Sequence, residues 1–467
     1  MAIIACGALF FGSCADHYDG DESWSSPVRN ATLQSPNEED ITIEPNSDGS
    51  QMTISWSVVY GAGGYEFQLF DANDETTPLV SDTIDGCKKT LAREEDMNYK
   101  IVIRALGNSE LNNKEAATAT VKSYSTFTKT YAAIPEGDLY AYFQSNPIPD
   151  DASEELNFDL KSGGTYTLSQ PLGFNYHKVV IRTTDKNNHA NIALAEGANF
   201  VVTNSFTLKY VDVDASSTIK PLMEAYKYEQ TPDDILPKPK NYYLIEFVRI
   251  LNCSITGIQG SLFYDNNLSY AVTNFIIKES VIEMATTTGN IKNEAFISFQ
   301  GGGVKDFSCI NSTMFQTGET NSKYFLRYNN SIRIDRLGWD QSIDHTTLTY
   351  TNNTFYKVAN GQWANYSGIN NYTIYNLQNN IWYDCADGQI ARRMKGNGRL
   401  GNNCSWTSAN NTYWYNGAKA DQSDHDTSTS ILETDPAFED PENGDFTPTG
   451  ADQVAKQTGD PRWYTTE

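Results

Sequence analysis

Thr351-Asn352-Asn353-Thr354-Phe355, Gln378-Asn379-Asn380-Ile381-Trp382 and Ala409-Asn410-Asn411-Thr412-Tyr413 are three copies of one pattern, a polar turn followed by a short β-favouring run. The pattern extends backwards, more degenerately, through Ile310-Asn311-Ser312-Thr313-Met314, Lys278-Glu279-Ser280-Val281-Ile282 and Leu251-Asn252-Cys253-Ser254-Ile255. From Asn252 to Asn410 the successive steps are 27, 32, 41, 27 and 31 residues. A period of roughly 20 to 50 residues predicts a stacked solenoid, because units this thin cannot bury their own apolar side. Asn suits the bend before each strand. It tolerates the left-handed backbone, and its amide can bond the equivalent amide about 4.8 Å away on the next coil. Such a ladder satisfies amide groups that burial would otherwise penalise.

Pattern and spacing resemble the right-handed parallel β-helix of pectate-lyase-like proteins, over roughly residues 150 to 460. The Asn residues also create Asn-x-Ser/Thr sequons, at Asn252, Asn311 and Asn352 among others. They read as ladder residues, since a sequon carries a glycan only in a glycosylating compartment.

The totals narrow the partners. With 34 basic and 59 acidic residues the net charge is −25, which argues against nucleic acid and suits an exported protein. Aromatics make up 12% of the chain while only 20% is charged, a composition of β structure with stacking surfaces and not of disorder. Length allows two or three domains. The seven cysteines show neither paired short spacing nor an accompanying His cluster, so no zinc site is expected. Cys253, Cys309, Cys385 and Cys404 fall near the repeats and read as small buried hydrophobes.

Residues 1–14 are apolar, too short to span a bilayer, and run directly into Asp16, Asp19, Asp21 and Glu22. Ending on Cys14, they resemble a bacterial lipoprotein signal in which that cysteine is lipidated, although no basic residue precedes Arg29 and Phe11 departs from the usual lipobox. The acidic stretch 15–24 resembles the surface-export tether of Bacteroidota lipoproteins. That resemblance implies an outer-membrane protein, lipid-anchored and facing the cell exterior.

Residues 25–125 alternate in short runs such as Met52 to Val59, Tyr65 to Phe70 and Asn98 to Leu106, the pattern of an antiparallel sandwich. Trp56, Tyr65 and Tyr99 resemble their counterparts in a fibronectin type III domain, Tyr99 being the corner tyrosine. Between residues 15 and 125, 8 basic against 20 acidic residues give 8 − 20 = −12, which keeps a spacer domain soluble. Residues 126–155 read as a linker and a cap for the first coil, 156–420 as the β-helix, and 421–467 as a capping tail. Residues 215–241, with four prolines, interrupt the coils and are a candidate functional loop. The ending resembles β-helical surface lipoproteins of polysaccharide-utilisation loci in Bacteroidota.

Three chemistries were weighed. Polygalacturonase-like hydrolysis needs paired Asp residues with a nearby Gly-His-Gly, which is missing. A calcium-dependent lyase needs clustered carboxylates; Asp421, Asp424 and Asp426 have cation-like spacing, in a segment that reads equally as a solvated loop. A metal-independent lyase needs a Lys or Arg base beside a neutralising cation. Arg392, Arg393, Lys395 and Arg399 form a basic run in an acidic chain, the footprint of an anionic ligand, with a charge-compensating turn as the plain alternative. Trp382, Trp406, Tyr413, Trp414 and Tyr415 flank it, and aromatic faces stack on sugars; alternation places half of them inward, and Trp382 and Trp414 are expected outside. The expected function is polysaccharide binding through Trp382, Arg392, Arg393, Lys395, Arg399, Trp406 and Trp414, with delivery to an outer-membrane uptake complex. The alternatives are a uronate lyase using Arg392, Arg393, Lys395 or Lys278, and an adhesin-like structural protein. No cofactor is expected unless calcium serves the lyase.

Overall fold

The computed structural model describes residues 28–228, 242–287, 289–328, 339, 344–366, 373–394, 405–420 and 425–464. Cys14, the apolar leader and the acidic tether lie outside the described residues. Chain packing separates two units at the Thr128–Lys129 junction.

The first unit is an antiparallel sandwich. One sheet pairs Thr42–Pro45, Gln51–Ser55 and Lys88–Ala92; the other pairs Val80–Ile84, Tyr65–Asp71, Asn98–Ala105 and Thr120–Ser125. Alternation is strict where the core is thickest: Tyr99, Ile101 and Ile103 point inward from one strand, Tyr65, Phe67 and Leu69 from its neighbour. Trp56 is buried edge-on to Tyr65, with ring centroids 5.4 Å apart. The Tyr99 hydroxyl accepts the Glu94 N–H at 2.9 Å, the local bond that defines a tyrosine corner.

The second unit is the parallel β-helix. Among the described residues its three sheets hold ten, eleven and six strands; we call them A, B and C. A typical coil passes from Gly303–Ile310 in sheet A through Thr313–Gln316 in sheet B to Tyr324–Tyr328 in sheet C. Strands pair in parallel with their counterparts one coil away, as Phe307 with Leu348 and Met314 with Phe355, except Ala418–Lys419, which turns back antiparallel on Thr412–Tyr415. The core is a column of inward side chains in which aromatics stack between coils: Phe355 on Trp382 at 5.6 Å, Trp382 on Tyr413 at 5.2 Å.

The turn from sheet A to sheet B carries the repeat. Asn252, Glu279, Asn311, Asn352, Asn379 and Asn410 all have φ between 48° and 56°, the left-handed region expected there. The outer amides form the predicted ladder: Asn352 donates to Asn311 at 3.0 Å, Asn379 to Asn352 at 2.9 Å, Asn410 to Asn379 at 3.0 Å. The next position makes a second, fully buried ladder. There the backbone N–H of Ser312, Asn353 and Asn380 donates to the side chain of Asn353, Asn380 and Asn411 in turn, at 3.0–3.1 Å. Ser280 and Cys253 extend this line through hydroxyl acceptors.

Both ends differ from the sequence reading. Thr130–Ile134, within the stretch expected as linker and entry cap, already pairs in parallel with Glu155–Leu160, so coiling begins there. The helix Leu139–Ser145, capped by Asp138, buries Leu139 and Phe143 against the first coils. The tail, expected as an end cap, runs back along the outside of sheet B. Gln453 donates to Thr412 at 3.0 Å, the Gly459 N–H to Asn379 O at 2.7 Å, the Asp460 N–H to Thr354 at 3.0 Å, and Trp463 to Thr313 at 2.8 Å. A single segment thus clamps four coils.

Candidate functional site

The residues expected to form a binding strip do not form one. Trp382 is a correction: it is 1% exposed, inside the helix between Phe355 and Tyr413. Buried Asn380 sets the phase of this strand, so Ile381 faces the tail and Trp382 the core. Trp406 packs half-buried against the core, 5.6 Å from Tyr375. Trp414 is also half-buried, and it continues an outward column on sheet B through Tyr383, Tyr356 and Phe315. Of the residues expected in a strip this column holds only Trp414, and the tail covers the part of it formed by Phe315, Tyr356 and Tyr383. Phe446 lies 5.1 Å from Phe315 and 5.4 Å from Tyr356, and Phe438 lies 5.5 Å from Tyr383.

Arg392 is half-buried on the helical turn Ala391–Met394, whose Ala391 and Met394 close over the core. The Arg393 side chain, Lys395 and Arg399 lie outside the described residues. Lys278 is exposed at the end of its strand, 3.3 Å from Glu279. Strands Gly303–Ile310 and Thr346–Thr351 separate it in sheet A from the coil that carries Arg392, so Lys278 and Arg392 are not on neighbouring coils. Of the acidic trio, Asp426 is buried and accepts from Ser408, from the Tyr413 hydroxyl at 2.8 Å and from the Ser428 N–H at 3.0 Å. Its oxygens are committed to the fold, which does not suit calcium; Asp421 and Asp424 lie outside the described residues. Among the described residues no three acidic, His or Cys side chains gather as a metal ion requires.

A different site is built at the first coils. A groove of about 600 Å³ crosses sheet A between the strap Asp150–Ser153, the turn Asn175–Lys178, Asn204, and Leu244, Glu246 and Thr273 of the two following strands. The Asn175–Tyr176 turn is strained: both residues are left-handed, at φ 46° and 66°, costly for a bulky Tyr. Bonds from both sides hold it. The Tyr176 N–H donates to Thr203 at 3.1 Å, Asn204 donates to Tyr176 O at 2.7 Å, and the Tyr228 N–H donates to the Tyr176 hydroxyl at 2.9 Å.

Tyrosines gather beside the groove. Tyr228 lies edge-on to Tyr176 at 5.5 Å and to Tyr226 at 5.1 Å, while Tyr243 and Tyr270 pack at 5.3 Å. Tyr226 and Leu244 remain exposed, at 48% and 38%. Gly173 makes room for this packing, since a Cβ there would fall 2.5 Å from the Tyr228 hydroxyl. Burial raises the Tyr228 phenol above its ordinary range, which keeps the group neutral.

His177 stands between this groove and a second hollow of about 390 Å³ lined by Tyr140, Phe143, Phe174 and Tyr228. The ring is 8% exposed. Its Nδ1 lies 3.0 Å from Ala152 O, and since a carbonyl only accepts, Nδ1 carries the proton. Nε2 is left as a buried acceptor with no donor among the described residues. Lys178 is held by Glu246 at 2.7 Å.

Of these residues only Tyr226 and Tyr228 fall in the 215–241 loop that the sequence marks as a candidate functional loop. The signal was present in Asn175-Tyr176-His177, Tyr226-Lys227-Tyr228 and Tyr242-Tyr243, which cluster around the 215–241 interruption without any period.

Three families match parts of the chain, each described only as a domain of unknown function: DUF4992 over residues 2–166, DUF4957 over 164–317 and DUF5123 over 348–463. No curated protein matches. Among solved structures, the chain is similar to pectate lyase Pel3 from Pectobacterium carotovorum, at 9% identity and TM-score 0.17, covering 82% of this chain and 92% of that one. Part of it is similar to a structure titled FN3tt mut, at 19% identity and TM-score 0.17, covering 21% of this chain and 100% of that one. A similar match is an Fn3-like protein from Clostridium thermocellum, at 17% identity and TM-score 0.15, covering 22% and 97%. The fold assignment rests on the strand pairings above.

Proposed function

We propose that this protein is a cell-surface lipoprotein, anchored in the outer membrane through Cys14, that binds a polysaccharide and hands it to an uptake complex. The binding surface in this reading is the groove across the first coils and its tyrosine flank, not the strip near residue 400. The supporting observation is the groove itself: about 600 Å³, lined by side chains from five segments of the second unit, with Tyr176 in its wall and exposed Tyr226 joined to Tyr176 through Tyr228. Sugar rings bury an apolar face on aromatics and bond polar neighbours with their hydroxyls, and this arrangement supplies both. Sandwich and leader would then serve as spacer and anchor.

A uronate lyase is the second reading. It needs a basic group free to take a proton and a cation to neutralise the carboxylate. Lys178 lines the groove but is tied to Glu246, which favours binding over elimination.

The test is retardation of the chain from residue 15 onward in affinity gels containing a panel of polysaccharides, with the ultraviolet absorbance of unsaturated uronate followed in parallel. Retardation on at least one polysaccharide that Tyr226→Ala weakens about tenfold or more, without new absorbance, supports the proposal. New absorbance replaces it with the lyase. No retardation on any member leaves the structural reading.

A further inference from the structure

We propose that the groove takes an uncharged, hydroxyl-rich glycan and discriminates against glycans bearing carboxylate or sulfate. The proposal rests on the glycan-binding reading and reverses the sequence expectation of an anionic ligand, which was drawn from residues 392–399.

The first argument is charge. Asp150, Asp151 and Glu246 line the groove against Lys178 alone, and Lys178 Nζ already sits 2.7 Å from Glu246. Asp150 and Asp151 are exposed and make no ion pair with a described residue. An anionic sugar would enter a field of its own sign.

The second is the state of the neighbouring cations. Arg182 is bonded to Asp159 at 2.7 Å, Arg249 reaches Glu155 and Thr207, and Lys305 holds Asp344 at 2.7 Å. Each of these three groups is thus engaged with an acid of the same protein. A carboxylate or sulfate ligand would have to displace one of those acids and leave it buried or half-buried without its partner. Guanidinium forks free to clasp an anion, the usual device for such ligands, are missing from the described groove.

The third is the sense of the hydrogen bonds on offer. The carboxylates of Asp150 and Asp151 are exposed acceptors in the groove wall, so the groove asks its ligand for donors. Sugar hydroxyls donate, and carboxylate and sulfate groups do not. The Asn175 amide adds a group that suits a hydroxyl in either role.

The experiment uses matched pairs in which only charge differs: polygalacturonate, alginate and hyaluronan, each beside its carboxyl-reduced form, with neutral mannan, xylan and β-glucan. Affinity is measured by gel retardation and calorimetry at low and moderate salt. The expected result is binding of a neutral member at least about tenfold tighter than its acidic counterpart. The double variant Asp150→Lys, Asp151→Lys, both positions being exposed, is expected to narrow or invert that preference while circular dichroism stays unchanged. Tighter binding of the acidic member, weakened by Tyr226→Ala, overturns the inference and leaves the binding proposal standing. Binding to no polysaccharide overturns both.

Discussion

Asn353 Nδ2 lies 2.8 Å from Asn380 Oδ1, with both residues fully buried in the turn from sheet A to sheet B. Asn380 Oδ1 also accepts the Asn353 N–H, and its Nδ2 donates to Tyr350 O at 2.8 Å and to Asn411 Oδ1 at 3.0 Å. Replacing Asn380 by Ala removes bonding partners of Tyr350 and Asn353 on one neighbouring coil and of Asn411 on the other. Each buried unsatisfied group costs about 1–3 kcal/mol, so Asn380→Ala is expected to lose roughly 3 kcal/mol or more in denaturant unfolding. Asn352→Ala breaks only the outer, part-buried ladder and a left-handed preference, and is expected to lose about 1–2 kcal/mol. Equal losses in the two variants would refute the distinction between the ladders.

The tail carries a second expectation. Phe446 is fully buried among Phe315, Tyr356, Phe438 and Trp463, and lies against sheet B only because the chain folds back. Truncating it to Ala removes the centre of that layer, for about 3–5 kcal/mol. If the layer covers the aromatic column, Phe446→Ala will also expose Tyr356 and Tyr383, seen as new binding of a hydrophobic dye and faster proteolysis within 435–464. A variant as stable and as protease-resistant as the parent would show that the tail is only loosely applied.

What the sequence revealed and what it hid divide along sequence distance. Asn352, Asn379 and Asn410 recur because each coil needs the same left-handed turn, and that local demand repeats at readable intervals. Trp382 was misplaced because alternation gives two faces without saying which is inside; the buried Asn380 decides it, and its burial depends on the coils above and below. The cover on Tyr356 and Phe315 depends on contacts such as Trp463 to Thr313, 150 residues apart. The groove gathers Asp150, His177, Asn204 and Glu246 from separate turns with no shared motif, so only their aromatic neighbours hinted at it.

Burial also governs the thiols. Cys253, Cys309 and Cys385 are unpaired, inside the solenoid, and desolvation pushes all three up, Cys253 to about 12. The thiolate is the reactive form, so these three should resist alkylation near pH 8 in the native protein and react together on unfolding. Peptide mapping after a short pulse of iodoacetamide measures this. Labelling of Cys309 without denaturant would mean that the coil around it opens.

Asp265 offers a pH test with a definite sign. Fully buried in the turn between sheets C and A, its carboxylate accepts the N–H groups of Asn267, Gln300, Gly301 and Gly302 at 2.7–3.2 Å. Desolvation outweighs those bonds and raises it from 3.8 to about 6. A carboxyl whose folded value lies above its unfolded one contributes stability that is complete below about 3.8 and fades as pH rises through about 6. Asp265→Asn presents an amide that cannot titrate and turns an NH₂ toward backbone donors, so it should be less stable at every pH. Its deficit should be largest near pH 4 and shrink by pH 7, read from urea unfolding of both proteins across that range. A deficit that grows with pH would mean that the four backbone bonds outweigh burial and hold this carboxylate ionised.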